Sequence, residues 1–341
     1  MTNVARILCI DGGGIRGIIP GLILTYIEER TKKPISELFH MIAGTSTGGI
    51  LSCALVAQVV NGKPRSCSEI TELYRKRGRD IFEKSFWKGF GSFGGMVDEK
   101  YDAENLEEVL MDYLGNSRLS DISQDLLITG YDIHKRKPYF FKSWKARGEQ
   151  LREDETKADR DFLLRDVARA TSAAPTFFEP AKLEKAGQIM PIVDGGVFAN
   201  NPAMCALASA RKLYPKQNRF LILSLGTGET QRKIPYNDAK NWGLIGWARP
   251  LLYVIFDGVA DAIHYQLNQE FSRRDYFRIQ IDLSNDFDDK KAPNDDMDDA
   301  RPENIEKLEA VAEELIGRKQ GDLNRLVSQL KNPITTASDL R

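Results

Sequence analysis

Histidine is nearly absent from this chain: His40, His134 and His264 are the only three in 341 residues. Chemistry that needs an imidazole therefore has three candidates, and a histidine-rich metal site is excluded. Cysteine is almost as sparse. Cys9, Cys53, Cys67 and Cys205 form no CxxC pair and no metal-ligand spacing. Three of them lie in apolar segments, where a thiol behaves as a small hydrophobe; they read as buried, reduced thiols of a cytoplasmic protein. Net charge is lacking too. At −1 there is no electrostatic case for a nucleic-acid polymer or an anionic membrane, so any lipid contact has to be mainly apolar. No long apolar run is uninterrupted. The stretch from Trp242 to Tyr265 is broken by Arg249-Pro250 and Asp257-Gly258, which reads as a core helix or the wall of a greasy pocket rather than a membrane span. The first apolar run, from Val4 to Ile10, contains Arg6 and leads straight into Asp11, so it reads as a strand and not as a signal peptide.

What the chain does have is ordinary globular composition, 42% hydrophobic and 28% charged, with no internal repeat and no clean linker. Strand and helix alternate early: a strand to Ile10, a helical stripe through Ile18, Ile19, Leu22, Ile23 and Ile27, a buried strand over residues 38–43, and a helix over 48–60. Two such units predict an α/β protein with a parallel sheet covered by helices, and residues 1–341 as one domain. Further on come a hairpin over 125–144, a helix over 162–175, and strands over 188–196, 219–228 and 276–283, the last at a sheet edge. A helix or helix pair closes the pattern over 302–330. Residues 147–161 are almost wholly polar and read as a mobile surface loop. The aspartate-rich stretch 282–299 lacks the central glycine and terminal glutamate of a calcium loop and reads as solvated.

Three strands end in glycine-rich turns: "DGGGIRG" (Asp11 to Gly17), "GTSTGG" (Gly44 to Gly49) and "DGG" (Asp194 to Gly196). In an open parallel sheet the carboxyl ends of strands share one edge, so these turns are expected to meet. Gly44-Thr45-Ser46-Thr47-Gly48 fits G-x-S-x-G, in which a sharp strand-to-helix turn lifts a serine hydroxyl clear of the backbone. Gly12-Gly13-Gly14-Ile15-Arg16-Gly17 fits G-x-G-x-x-G, and a dinucleotide site is its serious rival. That site wants an acid at the end of the second strand, where this chain has "AGTS". The other use of consecutive glycines is an oxyanion hole of backbone N–H groups beside Ser46. No lysine stands in P-loop register after either glycine cluster.

A nucleophilic serine needs a base. His134 lies in a basic hairpin turn, His40 precedes the strand that leads to Ser46, and His264 falls mid-helix although it has the chain order of a serine–acid–histidine triad. Asp194 ends a strand and is followed by Gly195 and Gly196, which leave room around its carboxylate; its plainer reading is a turn-forming aspartate. A free aspartate is a weak base at neutral pH, but burial beside Ile192 and Val193 would raise its pKa toward the working range.

Taken together, these turns closely resemble the patatin-like phospholipase family, and "ARATSAAPTFFEPA" (Ala168 to Ala181), "VDGGVFANNP" (Val193 to Pro202) and "LSLGTG" (Leu223 to Gly228) look like family segments in family order. The resemblance implies a three-layer fold with a mostly parallel central sheet, and a lipid acyl hydrolase needing neither histidine, metal nor cofactor. It implies Ser46 as nucleophile and Asp194 as base, with Gly12, Gly13 and Gly14 as oxyanion donors and Arg16 and Gly17 beside them. It also implies membrane phospholipids as substrate, met peripherally. The aromatics Phe86, Trp87, Phe90 and Phe93, on a glycine-rich segment, read either as a lipid-contact loop or as a folded-down core loop. Similar bacterial proteins are phospholipases switched on by cyclic nucleotides in anti-phage signalling, so a cyclic dinucleotide activator and a homo-oligomer stay open, although no nucleotide-binding motif stands out. A non-enzymatic lipid-binding or storage role is the remaining alternative.

Overall fold

A computed structural model describes residues 4–59, 62–82, 101–185, 187–229, 233–283, 287, 292–335 and 340–341. The aromatic loop carrying Phe86, Trp87, Phe90 and Phe93 lies outside the described residues.

Five strands form the parallel heart of the sheet: β1 (Ala5–Ile10), β2 (Met41–Gly44), β3 (Asp125–Asp132), β7 (Phe220–Leu225) and β8 (Tyr276–Ile279), laterally ordered β3-β2-β1-β7-β8. β8 is the edge strand, as expected. Three antiparallel strands complete the sheet: β4 (Lys137–Lys142), β5 (Ala181–Lys185) and β6 (Gln188–Asp194). Buried on both faces, the central strands are almost wholly apolar, as in "ARILCI" and "FLILSL", where Arg6 and Ser224 are the exceptions. Alternate side chains serve two cores. Leu8 and Ile10 join the larger cluster, while Ile7 and Cys9 point into the smaller one on the other face.

Helices α1 (Ile18–Thr31), α2 (Thr47–Ala54), α3 (Cys67–Ile81), α4 (Ala103–Leu114), α6 (Leu164–Thr171), α11 (Pro302–Arg318) and α12 (Gln320–Leu330) cover the larger core. Helix α8 (Ala203–Leu213) covers the other face through Ala203, Ala206, Leu207 and Ala210, whose small side chains let it lie close to the sheet. The short helices α5 (Ser143–Ala146), α7 (Gly196–Ala199) and α9 (Tyr236–Ala239) and the long α10 (Leu244–Glu270) complete the described helices. Among these residues no helix is long and apolar enough to cross a membrane.

Three expectations are corrected. The turns do not all lie at the end of one parallel set, because β6 runs antiparallel to β3. β4 pairs with β3 from Leu127 to Asp132 and so occupies one edge. β2 must then hold the first half of the opposite edge, where Gly44 pairs with Ile128, and β6 the second half, where Asp194 pairs with Gly130. The carboxyl ends of β2 and β6 therefore meet head-on across Thr129.

Residues 147–161 do not form a loose surface loop. The Glu155 carboxylate is buried there, bonded by Lys145 Nζ at 2.6 Å and Arg152 Nε at 2.9 Å and joined to Arg160. Burial alone would raise its pKa, but those cations hold it down at about 2. The aspartate-rich stretch is likewise not simply solvated. Asp298 is buried and bonded by the Tyr101 hydroxyl at 2.7 Å, and the Met297 carbonyl accepts the Ile15 N–H at 2.8 Å.

Candidate active site

The turn at Ser46 is strained. With φ 54° and ψ −126° it is one of few non-glycine residues with positive φ among those described, and it serves as N-cap of α2. Side chains seldom adopt that backbone region unless the surroundings impose it. Close packing on both sides supplies the constraint. A Cβ on Gly44 would lie 2.2 Å from the Gly48 carbonyl oxygen, and one on Gly48 would lie 2.2 Å from the Ile10 carbonyl oxygen. The bend thus depends on the two glycines of G-x-S-x-G.

The end of α6 grips both turns. Thr171 Oγ1 accepts the Ser46 N–H at 2.9 Å, and two residues on the Ala173 carbonyl accepts the Asp194 N–H at 2.9 Å. Thr45 Oγ1 donates to the Ala199 carbonyl at 2.7 Å and lies 2.7 Å from Thr129 Oγ1, tying the serine turn to α7, which follows Asp194. Gly195 and Gly196 let that turn fold tightly. A Cβ on Gly195 would be 2.0 Å from Thr129 Oγ1, and Gly196 donates its N–H to Asp194 Oδ1 at 2.7 Å.

Asp194 is wholly buried, and desolvation pushes its pKa up to about 7. The Ser46 hydroxyl and the Gly196 N–H pull it back only in part. Oδ2 has no hydrogen-bond partner of ordinary geometry, although the Ser46 hydroxyl is close enough to act on the carboxylate. The two groups are near each other but not aligned for a full hydrogen bond. No histidine takes this place. His40 is buried with its pKa lowered to about 4 by desolvation, and its Nδ1 accepts the Arg6 N–H at 2.9 Å. His264 lies 3.1 Å from the Tyr276 hydroxyl and does not line the cavity at Ser46.

The first glycine turn divides its work. Gly12 donates its N–H to the Asn200 carbonyl at 3.2 Å, and Thr227 Oγ1 donates to the Gly12 carbonyl at 2.8 Å. Gly12 is therefore a spacer: a Cβ there would stand 2.3 Å from Asn200 Oδ1 and 3.1 Å from Ser46 Cβ. Among the described residues the N–H groups of Gly13 and Gly14 have no acceptor. Arg16 lies behind the loop. Its Nε donates to the Gly13 carbonyl at 3.4 Å, and burial lowers its pKa against the pull of Asp257. Gly17 abuts Thr47, whose Oγ1 lies 2.5 Å from the Tyr74 hydroxyl. Asn200, Thr227 and Thr171 act through contacts far apart in sequence; each lies in one of the segments quoted for the family resemblance, but the residues alone assign none of them a role.

Ser46 opens on a narrow apolar cavity of about 60 Å³, walled by Ile50, Leu73, Phe177, Phe178, Phe256 and Met297 among others. Phe256 comes from α10, so the reading of Trp242 to Tyr265 as a pocket wall holds there. The core-helix alternative fails for the outer face, which is exposed.

Gly12→Ala is expected to lower turnover of a soluble ester by at least about tenfold with little change in KM, since the added methyl drives into the Asn200 side chain and crowds Ser46 without reaching the apolar wall. A wild-type rate from this variant, measured in initial-velocity assays, would show that the spacing around Gly12 is not limiting.

The sheet, with a strained serine at a sharp strand-to-helix turn and a buried carboxylate beside it, defines a mixed α/β protein with a mostly parallel central sheet. The chain belongs to the patatin-like phospholipase family: the profile described as "Patatin-like phospholipase" matches residues 8–207. Among relatives, "Patatin-like protein 2" of Oryza sativa subsp. indica is 30% identical over 93% of this chain and 85% of its own length. "Patatin-like protein 2" of Arabidopsis thaliana is 31% identical over 94% and 85%, and "Patatin group J-1" of Solanum tuberosum is 30% identical over 93% and 84%.

Proposed function

We propose that the protein is a lipid acyl hydrolase that cleaves fatty-acyl esters of membrane glycerophospholipids through Ser46 and Asp194. The observation that carries this reading is the juxtaposition of a strained serine with a buried carboxylate of pKa about 7, at the mouth of an apolar cavity. Asp194 Oδ2 takes the proton as Ser46 Oγ attacks the ester carbonyl carbon. The N–H groups of Gly13 and Gly14 donate to the developing oxyanion. Asp194 returns the proton to the departing alcohol oxygen, leaving an acyl-serine. Water then adds to that ester, giving up a proton to Asp194, and the fatty acid leaves as Ser46 is reprotonated. The wall of phenylalanine, leucine and isoleucine matches an alkyl chain, with Thr47, Tyr74 and Ser172 the polar residues beside Ser46 in the lining.

Hydrolysis of mixed phospholipid vesicles tests the proposal. Free fatty acid is expected from the wild type and none above background from Ser46→Ala. Lysolipid analysis of the same reaction assigns the acyl position, and a parallel arm with cyclic dinucleotide tests activation. Vesicles left intact by the wild type in both arms would overturn the reading.

A further inference from the structure

Asp11 stands at the head of the first glycine turn, between β1 and the amides of Gly13 and Gly14. Its carboxylate is buried, and Arg278 of β8 reaches it across β7, with Nη2 2.7 Å from Oδ2. Arg278 Nη1 also donates to Ser224 Oγ on β7 at 2.9 Å, and Ser224 pairs with Cys9 on one side and Arg278 on the other. The guanidinium thus crosses from the edge strand to the foot of the turn. The Asp11 N–H donates to the Leu225 carbonyl at 3.0 Å, so the backbone there has a tie of its own.

The ion pair is poorly built for stability. Asp11 Oδ1 and Arg278 Nε are buried with no hydrogen-bond partner. Taking two charges out of water costs about what their attraction returns, and apolar side chains of similar volume often hold a fold as well or better. The place of the pair suggests another use. From Asp11 to Gly14 the chain spans at most about 10 Å. An uncompensated carboxylate at Asp11 would repel the negative charge that develops on the ester oxygen at the Gly13 and Gly14 amides. Over about 10 Å, at an effective dielectric constant of about 20, that repulsion slows the reaction roughly tenfold.

Further acids act here. Asp261 raises the Asp11 pKa and Glu229 raises that of Arg278, and Arg278 is the cation that pulls down both Asp11 and Glu229. Arg16, the other cation at the turn, is held instead by Asp257, Asp295 and Asp296. The groups that act on the base Asp194 are Ser46 and Gly196, not this pair.

We infer that Arg278 is a positioning residue for the oxyanion turn, which by pairing with Asp11 cancels the buried negative charge behind the Gly13 and Gly14 amides. The inference rests on the hydrolase reading, because only a reaction that builds negative charge at those amides needs the cancellation.

The test reads kcat and KM on a soluble short-chain ester, and melting temperature, for Arg278→Gln, Asp11→Asn, the double variant and Arg278→Lys. Arg278→Gln leaves a bare anion and is expected to lower kcat at least about tenfold with KM little changed. Asp11→Asn leaves a bare cation; it is expected to lower kcat less than about threefold, although its melting temperature falls too. The double variant carries neither charge and is expected to be at least about threefold faster than Arg278→Gln. Arg278→Lys keeps the charge and is expected to keep most of the rate. A tie that is only structural predicts that both single variants lose rate together, in step with their melting temperatures. That result would overturn the inference, as would a double variant no faster than Arg278→Gln. Should Arg278→Gln not fold, Asp11→Asn decides: a loss in kcat of about tenfold or more would overturn the inference. A wild type that cleaves no ester and takes up no covalent serine probe would instead remove the hydrolase reading, and this inference with it.

Discussion

Asp194→Asn is expected to abolish turnover and, above neutral pH, to make the protein more stable. The loss of activity follows from the proposed role, since an amide cannot take the Ser46 proton, and a fall on the order of 10³–10⁴ in kcat is expected. The gain in stability follows from linkage. The folded-state pKa is about 7, and that of an unfolded aspartate is about 3.9. The native state therefore holds its proton more tightly than the unfolded state. Below pH ~4 both states are protonated and nothing is lost; as pH rises through the folded value the native state is progressively disfavoured, by roughly 4 kcal/mol in total. Asparagine is neutral throughout, and its side-chain oxygen can still accept the Gly196 N–H. Denaturant melts of both proteins at pH 4 and pH 8 provide the check, with a difference of a few kcal/mol expected only at the higher pH. Equal stabilities at pH 8 would mean that the carboxylate is not held in a desolvated site. The same pKa predicts an acid limb in kcat/KM, falling about tenfold per pH unit below about 7.

Ser46 separates chemistry from strain. Both Ser46→Ala and Ser46→Gly remove the nucleophile, and each is expected to lower esterase activity by about 10⁴–10⁶. They differ in the backbone. Alanine keeps the β-carbon that makes φ 54° and ψ −126° unfavourable, whereas glycine accepts that region freely. Glycine is therefore expected to be the more stable of the two by about 1–3 kcal/mol, less its greater chain entropy when unfolded. Thermal melts of the pair, with a covalent serine probe confirming loss of the nucleophile, would measure it. An alanine variant as stable as the glycine variant would show that the turn relaxes once the hydroxyl is gone.

The parts of this site that were legible in the sequence are local. A bend that admits no β-carbon leaves glycines at fixed offsets, and Gly44, Gly48, Gly195 and Gly196 mark two of the turns before any fold is known. Strands buried on both faces, such as β1 and β7, leave apolar runs that read equally directly. Pairing partners leave no such trace. Nothing in "QIMPIVD" tells that it lies antiparallel to β3, and β5 was not anticipated because "AKLEK" is short and half polar. The same holds for Asn200, which takes the Gly12 N–H, and for Met297, which reaches the cavity from an acidic stretch that reads as solvent-facing. Helix α2 ends at Ala54 rather than near Val60, and no glycine or proline marks that end in the sequence. Hydrophobicity located α10 but could not distinguish its Phe256 side from its Leu251 side.

The meeting of β2 and β6 on one edge of β3 gives the serine and the aspartate a common ruler. Their separation is metered by the hydrogen-bond spacing of a shared neighbour, so loops elsewhere can lengthen or shorten without disturbing it. One residue added inside β6 would instead swing the carboxylate to the far side of the sheet. Length variation is therefore tolerable in loops that stand apart from this edge and from the three glycine turns.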